Sequence, residues 1–456
     1  MSRVRADAAH LVEAAIAAVR PEALVPRRLS VEAGELVLDG RSFPVPVRLG
    51  GRGAIVGGGK AAAGVAAALE TLFASANAPL HGLVSVPAGC GRRLAHVEVR
   101  ETRPAGSNLP TAAAVAATRG MRDMVASLRR DDLAVVIVTG GGSALLEEPR
   151  NGVTLDGVIA VTRRLSAAGA DIRELNVVRQ ALSAIKAGGL ARDCTAGRLV
   201  AIVLSDVIGD PLELIASGPC MPALPDPAAA LAVLRRRGVA DAVPDVTRWL
   251  ESASRAAPTR QTGGEWTTPS GCRVSHVLLG TNATAVDGMA QAARELGYDV
   301  AVRPATTLTE TAESVGRRLA AEAAALRLAV ARDGRPRALV EGGEAVVTVP
   351  CDHGRGGRNQ QTALAAVEAW PRAADAWPEG LVIASVGTDG EDGPTPAAGG
   401  LVDCEVVRRL AEGGIDVGRA VTRCDAYPAL AAADGLIQTG PTGTNVADVR
   451  LVLVKP

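Results

Sequence analysis

The chain has 456 residues, and its 49 Lys and Arg are balanced by 49 Asp and Glu, so it carries no formal net charge. At roughly 150 residues per domain the length predicts two or three domains, and a 48% share of hydrophobic residues excludes disorder as the main state. The balance lacks the basic excess of a nucleic-acid-binding protein, and eight aromatic residues are too few for a base-stacking surface.

The first periodic stretch, Leu11 to Val19, is apolar but interrupted by Glu13, which predicts an amphipathic helix rather than an export signal. No run approaches the 18 apolar residues of a membrane span. The seven cysteines stand singly without a C-x-x-C pair, and the five His are dispersed. That pattern predicts a reducing, cytoplasmic setting and no structural zinc site.

Ala54 to Val56 runs into Gly57-Gly58-Gly59-Lys60 and then an Ala/Leu helix to about Phe73. Glycines let backbone N–H groups approach an anion, a helix N-terminus adds positive potential, and Lys60 adds a full charge. The alternative is a tight strand-to-helix turn with a solvated lysine. A dinucleotide fingerprint is incomplete here, because the next strand, Leu83 to Val86, runs into Pro87-Ala88-Gly89-Cys90 without a carboxylate for a ribose. A Walker loop fails too: Ala54 replaces its first glycine, and Ala61 stands where a hydroxyl would hold magnesium.

Leu133 to Val138 enters Thr139-Gly140-Gly141-Gly142-Ser143, the same form with a hydroxyl in place of the ammonium. Three glycines weaken a short loop unless something approaches closely, which favours phosphate or substrate binding. Leu199 to Leu204 enters Ser205-Asp206. A carboxylate just after a buried strand binds a cation, caps a helix or acts as a base, and Asp210, before Pro211, is the better cap. Continuous apolar strands alternating with helices predict a buried parallel sheet with its ligand crevice beyond the carboxyl ends.

Periodicity fails from Glu251 to Arg273, so a linker over 251–273 is expected between domains 1–250 and 274–456. Beyond it Val277 to Leu279, Tyr298 to Val302, Ala338 to Val340 and Leu381 to Val386 read as strands of a second α/β domain. Val346 to Val349 reads as a further strand, leading into His353-Gly354-Arg355-Gly356-Gly357-Arg358-Asn359. Arginine forks suit phosphate or carboxylate; a mobile basic hairpin is the alternative. Gly387-Thr388-Asp389-Gly390-Glu391-Asp392-Gly393 suits one Mg²⁺ held largely by ligand phosphates, or an ordinary turn. Thr439-Gly440-Pro441-Thr442-Gly443-Thr444-Asn445 suits a polyhydroxylated or phosphorylated ligand, or a hairpin loop. Two anion cradles, a lysine, paired arginines and strand-end aspartates are what phosphoryl transfer requires, since its catalysis is mainly positioning and charge compensation.

In this order the motifs resemble the glycerate 2-kinase family with a C-terminal MOFRL-type domain. The resemblance is carried by Gly57 to Ala61, Gly140 to Leu146, Leu175 to Arg179, Leu182 to Lys186, Leu204 to Asp210, Ile215 to Pro219, Gly342 to Glu344, Gly354 to Gln360, Gly387 to Pro394 and Thr439 to Asn445. It implies a Rossmann-like N-terminal domain with a mainly parallel sheet, a smaller MOFRL-like α/β domain, and an active site in the interdomain cleft. The implied activity converts D-glycerate and ATP, with Mg²⁺, into 2-phosphoglycerate and ADP. The family's catalytic lysine falls on Lys60 and its arginine on Arg358. Asp206 is assigned to Mg²⁺ or to the C2 hydroxyl proton, and Asp389 to a second metal or substrate contact. Nucleotide and substrate binding is expected at Gly57, Gly58, Gly59, Gly141, Gly142, Ser143, Glu344, Arg355, Asn359, Thr444 and Asn445. Two departures stand out: Gly106-Ser107-Asn108-Leu109-Pro110-Thr111 lacks the His and Asp of the family pattern, and Gly189 replaces an arginine. An NAD(P)H-dependent hydroxypyruvate reductase and a related sugar-acid kinase are the alternative readings. No nucleic-acid or membrane partner is expected, and a homodimer is compatible with the sequence.

Overall fold

The computed structural model describes residues 2–78, 80–254, 266–305, 310–370 and 377–456. Its contacts divide the chain into a central unit, Pro21–Leu279, and a terminal unit of Met1–Arg20 with Gly280–Pro456.

The central unit opens with a small antiparallel sheet of β1 (Leu29–Glu32), β2 (Glu35–Leu38) and β3 (Arg41–Arg48). Its main sheet contains β4 (Gly53–Gly58), β5 (Leu80–Pro87), β6 (Val97–Arg103), β7 (Leu133–Thr139), β8 (Arg198–Leu204), β9 (Trp266–Thr267) and β10 (Arg273–Gly280), in the order β6-β5-β4-β7-β8-β10-β9. β4 and β7 are buried along their whole length, as unbroken apolar strands require when both faces are covered. β4 to β8 are parallel throughout, so the loops after β4, β7 and β8 leave one edge of the sheet. One face packs Met121 and Val125 of helix Ala112–Ala126 against Val56, Val136 and Val203. Helices Leu155–Ala167, Ile172–Leu182, Pro227–Arg236 and Pro244–Ala253 share a separate apolar core.

Two glycines let β4 approach β7. A Cβ on Gly57 (φ 144°) would lie 2.0 Å from the Ile137 carbonyl oxygen, and one on Gly59 (φ 139°) would lie 2.0 Å from Thr139 Oγ1. Gly57 and Gly59, at the end of β4 and just beyond it, are therefore demanded by strand packing.

The terminal unit holds β11 (Asp299–Arg303), β12 (Arg337–Gly343), β13 (Leu381–Gly387), β14 (Gly399–Val402), β15 (Leu436–Ile437) and β16 (Asp448–Val454), ordered β11-β12-β16-β13-β14-β15. Among these described strands β11 and β12 alone pair in parallel; β16 runs antiparallel to both β12 and β13. The expected N-terminal helix spans Arg3–Ala18, buries Leu11, Val12, Ala15 and Ile16, and packs on helix Asn282–Glu295.

Several sequence expectations change. Met1–Arg20 groups with the C-terminal half, while Arg273–Leu279 extends the central sheet, so the contact boundaries differ from 1–250 and 274–456. Within the expected linker, residues 255–265 lie outside the described residues. The rest is ordered as the end of helix Pro244–Ala253 and as β9 and the start of β10. Among the described residues Val346 to Val349 forms only a bridge from Val346 to Thr311, and Val346 and Val349 are exposed. Thr439 to Asn445 is not a hairpin, since β15 pairs with β14 while β16 lies between β12 and β13. Asp210 has φ 53° and precedes a turn rather than a helix. No described helix is long and apolar enough to cross a membrane.

Gly57→Ala should destabilise the protein by about 3 kcal/mol or more, from overpacking and a disfavoured backbone conformation. A melting temperature equal to that of the parent would contradict the packing argument.

Candidate functional site

In the central unit, register brings three loops to one rim: Gly58 lies opposite Val138, and Thr139 opposite Leu204. The backbone N–H groups of Gly59, Lys60 and Ala61 donate to Ser85 O, Gly140 O and Thr139 Oγ1 at 3.1, 2.9 and 3.2 Å. These amides tie the loop to its neighbours and do not form the backbone anion cradle expected from the glycines. Gly57, Gly58 and Gly59 are buried, as is Gly142, where a Cβ would meet Ala216 Cβ at 2.9 Å. Gly141 and Ser143 are partly exposed. Lys60 and Arg103 both flank Gly141, whose added Cβ would sit 3.8 Å from Lys60 Cγ and 3.3 Å from Arg103 Nη2. Arg103, at the end of an alternating strand, carried no motif signal.

Ser143 faces a turn with unusual backbone. Ala216, Ser217 and Gly218 have φ of 47°, 61° and 62°, and each non-glycine residue held there costs about 1 kcal/mol. Ser143 Oγ lies 3.4 Å from Ser217 Oγ, which donates to Asn176 Oδ1 at 2.5 Å. Beneath them Lys186 is fully buried, donating to Leu146 O at 2.9 Å and to Glu147 Oε2 at 2.5 Å. Burial lowers the pKa of Lys186, and Glu147 opposes that shift. Asp206 is partly exposed at the end of β8.

The two departures from the family pattern have local causes. Thr111 accepts from Ala114 N at 3.1 Å and caps helix Ala112–Ala126, a task Thr and Asp both perform. A Cβ on Gly189 would lie 2.0 Å from Ala184 O, so no larger residue fits this backbone.

In the terminal unit the antiparallel β16 gathers a second set of loops. Asp448, its first residue, lies opposite Gly343 of β12 and Gly387 of β13. Arg358 opens helix Arg358–Ala369 and donates to Asp448 through Nε (2.7 Å) and Nη2 (2.9 Å), and to Glu344 through Nη1 (2.9 Å). A guanidinium has five N–H donors, so these three bonds leave two, one on each terminal nitrogen. Burial opposes the charge on Arg358, but Asp448 and Glu344 outweigh it and raise its pKa. Burial raises the Glu344 carboxyl, and Arg358 acts against that shift. Asp448 is fully buried; it followed Val446-Ala447 with no strand-end signature, and sequence reasoning missed it.

The remaining expected residues divide. Asn359 is buried, accepting from Ser385 Oγ at 2.5 Å and donating to Asp392 at 3.4 Å, so its amide serves the interior. Thr444 is also buried and donates to Val19 O. Arg355 is exposed, stacks 4.6 Å over the Tyr427 ring and donates to Pro394 O. Asn445 and Asp389 are partly exposed in adjoining loops, joined by Thr442 N to Asp389 O. Asp389 Oδ1 accepts from Glu391 N, and Asn445 Oδ1 from Ala447 N. Among the described residues no group of three or more His, Cys, Asp or Glu is gathered for a metal ion.

Comparison with known proteins places these features in context. Residues 7–251 match DUF4147, a domain of unknown function, and residues 337–448 match the MOFRL family. The chain is similar to human glycerate kinase, 34% identical over 505 residues that cover 99% of this chain and 93% of the relative. It is 36% identical to a D-glycerate 2-kinase of Thermotoga maritima over 78% of this chain and 80% of the relative. A crystal structure of glycerate kinase from Thermotoga maritima superposes with a TM-score of 0.78 at 31% identity, covering 98% of both chains.

Asp392 accepts from the N–H groups of Asn359 (3.0 Å) and Gln360 (2.8 Å). Burial pushes its carboxyl up to about 7 against those donors, with Asp448 adding to the shift. A carboxyl raised above its unfolded value near 4 contributes stability that is complete below pH 4 and lost as pH rises through 7. Chemical unfolding should therefore show the stability of the parent relative to Asp392→Asn declining from pH 4 to pH 8. A difference that is constant over that range would contradict the assignment.

Proposed function

We propose that this chain, which belongs to the glycerate kinase family built from a DUF4147 and a MOFRL domain, is an ATP-dependent kinase acting on the 2-hydroxyl of D-glycerate. The observation that carries the reading is the match over 99% of the chain to a relative named glycerate kinase. The chemistry of the two rims is consistent with it.

The acceptor binds at the carboxyl ends of β4, β7 and β8, against Gly141, Gly142 and Ser143. Its C2 hydroxyl oxygen bonds to the γ-phosphorus of ATP as the bond from that phosphorus to the bridging oxygen of ADP breaks. The hydroxyl proton passes to the Asp206 carboxylate. In the central unit Lys60 supplies an ammonium to phosphate oxygens, and in the terminal unit the two N–H groups that Arg358 leaves unused offer phosphate oxygens further donors. Asp448 and Glu344 hold that guanidinium in place. Mg²⁺, when bound, neutralises phosphate charge. Asp389 is a carboxylate that would serve it, and Asp206 would do so in place of accepting the proton; both are partly exposed, and an ion bound largely through substrate phosphates needs only one or two protein carboxylates. The reductase alternative finds no support at the turn after β5, where Glu101 accepts from the N–H groups of Gly89 and Gly91 and is thereby committed to holding the turn.

Incubation with D-glycerate, ATP and Mg²⁺ should give 2-phosphoglycerate by NMR. Formation of 3-phosphoglycerate would refute the regiochemistry, and absence of any phosphoglycerate would refute the activity. Lys60→Ala should fold normally and lower turnover by about 10²-fold or more. Arg358→Lys keeps a charge for Asp448 and Glu344 but loses those two N–H groups, and should show a similar loss. A near-parental rate in either variant removes that residue from the mechanism.

A further inference from the structure

We infer that Arg179 recognises the carboxylate of the acceptor, making the central unit selective for small 2-hydroxy carboxylate anions; this rests on the kinase reading above. Arg179 lies on helix Ile172–Leu182, three residues after Asn176 and hence on the same helical face. That helix is fastened to the strained turn: Asn176 Nδ2 donates to Leu214 O at 3.4 Å, and Gln180 Nε2 donates to Glu213 O and Ser217 O at 3.2 and 3.3 Å. The face of Asn176 therefore reaches Ser217 and, through it, Ser143 at the rim where the acceptor binds.

Arg179 is partly buried, yet among the described residues nothing accepts a hydrogen bond from its guanidinium and no carboxylate pairs with it. Other arginines of this region are committed. Arg122 takes Glu148 and Asp193, Arg150 takes Ala181 O, and Arg192 takes Ala187 O and Ala223 O. Burial lowers the pKa of Arg179 and Glu147 opposes that shift, but Glu147 is already bonded to the fully buried Lys186. Two cations thus share one carboxylate, leaving a surplus positive charge in a poorly solvated place. Such a charge is costly unless an anion completes it. A guanidinium fork is matched to a carboxylate, and the Ser143 and Ser217 hydroxyls, which the same helical face reaches through Asn176, suit the alcohols of the same small ligand. Position in the last turn of a helix offers an alternative account, but a cation gains only about 0.3–1 kcal/mol there and gains it in solvent, so that account does not explain the burial.

The test is calorimetric titration of D-glycerate without nucleotide, together with steady-state kinetics, on the parent, Arg179→Gln and Arg179→Lys. Arg179→Gln should weaken D-glycerate binding and raise its KM by roughly 10- to 100-fold, leaving the KM for ATP unchanged. Arg179→Lys, which keeps the charge without the fork, should fall between the two. D-glyceramide, with an amide in place of the carboxylate, should bind the parent and Arg179→Gln equally. Parental affinity of Arg179→Gln for D-glycerate would overturn the inference. So would equal losses for glycerate and glyceramide, which would mark a structural role, and failure of the parent to bind D-glycerate at all. Arg179-dependent binding without phosphoglycerate formation would uphold the subsite and refute the kinase reading alone.

Discussion

The backbone of β4 lies against β7 so closely that no side chain fits at Gly57 or Gly59, and the geometry of the central rim follows from that contact. The approach lets Lys60 N donate to Gly140 O and Ala61 N to Thr139 Oγ1, which joins the ends of two parallel strands into one surface. Lys60 and Arg103 both come close to Gly141 on that surface. Glycines often signal that a ligand lies on the backbone. Here they signal first that another strand does, and the charged groups at the rim are positioned as a consequence.

The terminal unit reaches a related arrangement by the opposite strand direction. Because β16 runs antiparallel between β12 and β13, its start coincides with their ends, and Asp448 meets Gly343 and Gly387 in register. Arg358 is then gripped along one side by Asp448 and Glu344, so its orientation is set before any ligand arrives. Loss of side-chain freedom is already complete in such a cation, which is the kind of preorganisation that electrostatic catalysis uses.

Long-range order was legible in the chain wherever a single element carried its own pattern. The strands Ala54–Val56, Leu133–Val138 and Leu199–Leu204, the helix Arg3–Ala18 and the positions of Lys60 and Arg358 at strand or helix ends follow from local periodicity and from glycine placement. What was not legible depends on pairing. A continuous apolar run states that a strand is buried on both faces but not which way its neighbour runs, so the antiparallel role of β16 and the importance of Asp448 could not be read. The same holds for the boundary, because helix Arg3–Ala18 joins the terminal unit through contacts with residues almost 300 positions away. Asn359 and Thr444 looked like ligand groups by residue type, yet their polar atoms satisfy Ser385, Asp392 and Val19 inside the fold. Arg179 shows the converse: in sequence it closed one of the motifs of the resemblance without a role of its own, and it stands out once the partners of the neighbouring arginines can be seen.

The central claim is that the acceptor sits on the rim formed by the carboxyl ends of β4, β7 and β8. A crystal structure of the protein with D-glycerate and a non-hydrolysable ATP analogue tests it most directly. The account predicts glycerate in contact with Lys60 and with the Gly141–Ser143 loop. Glycerate bound in a defined place that touches none of these residues would contradict it.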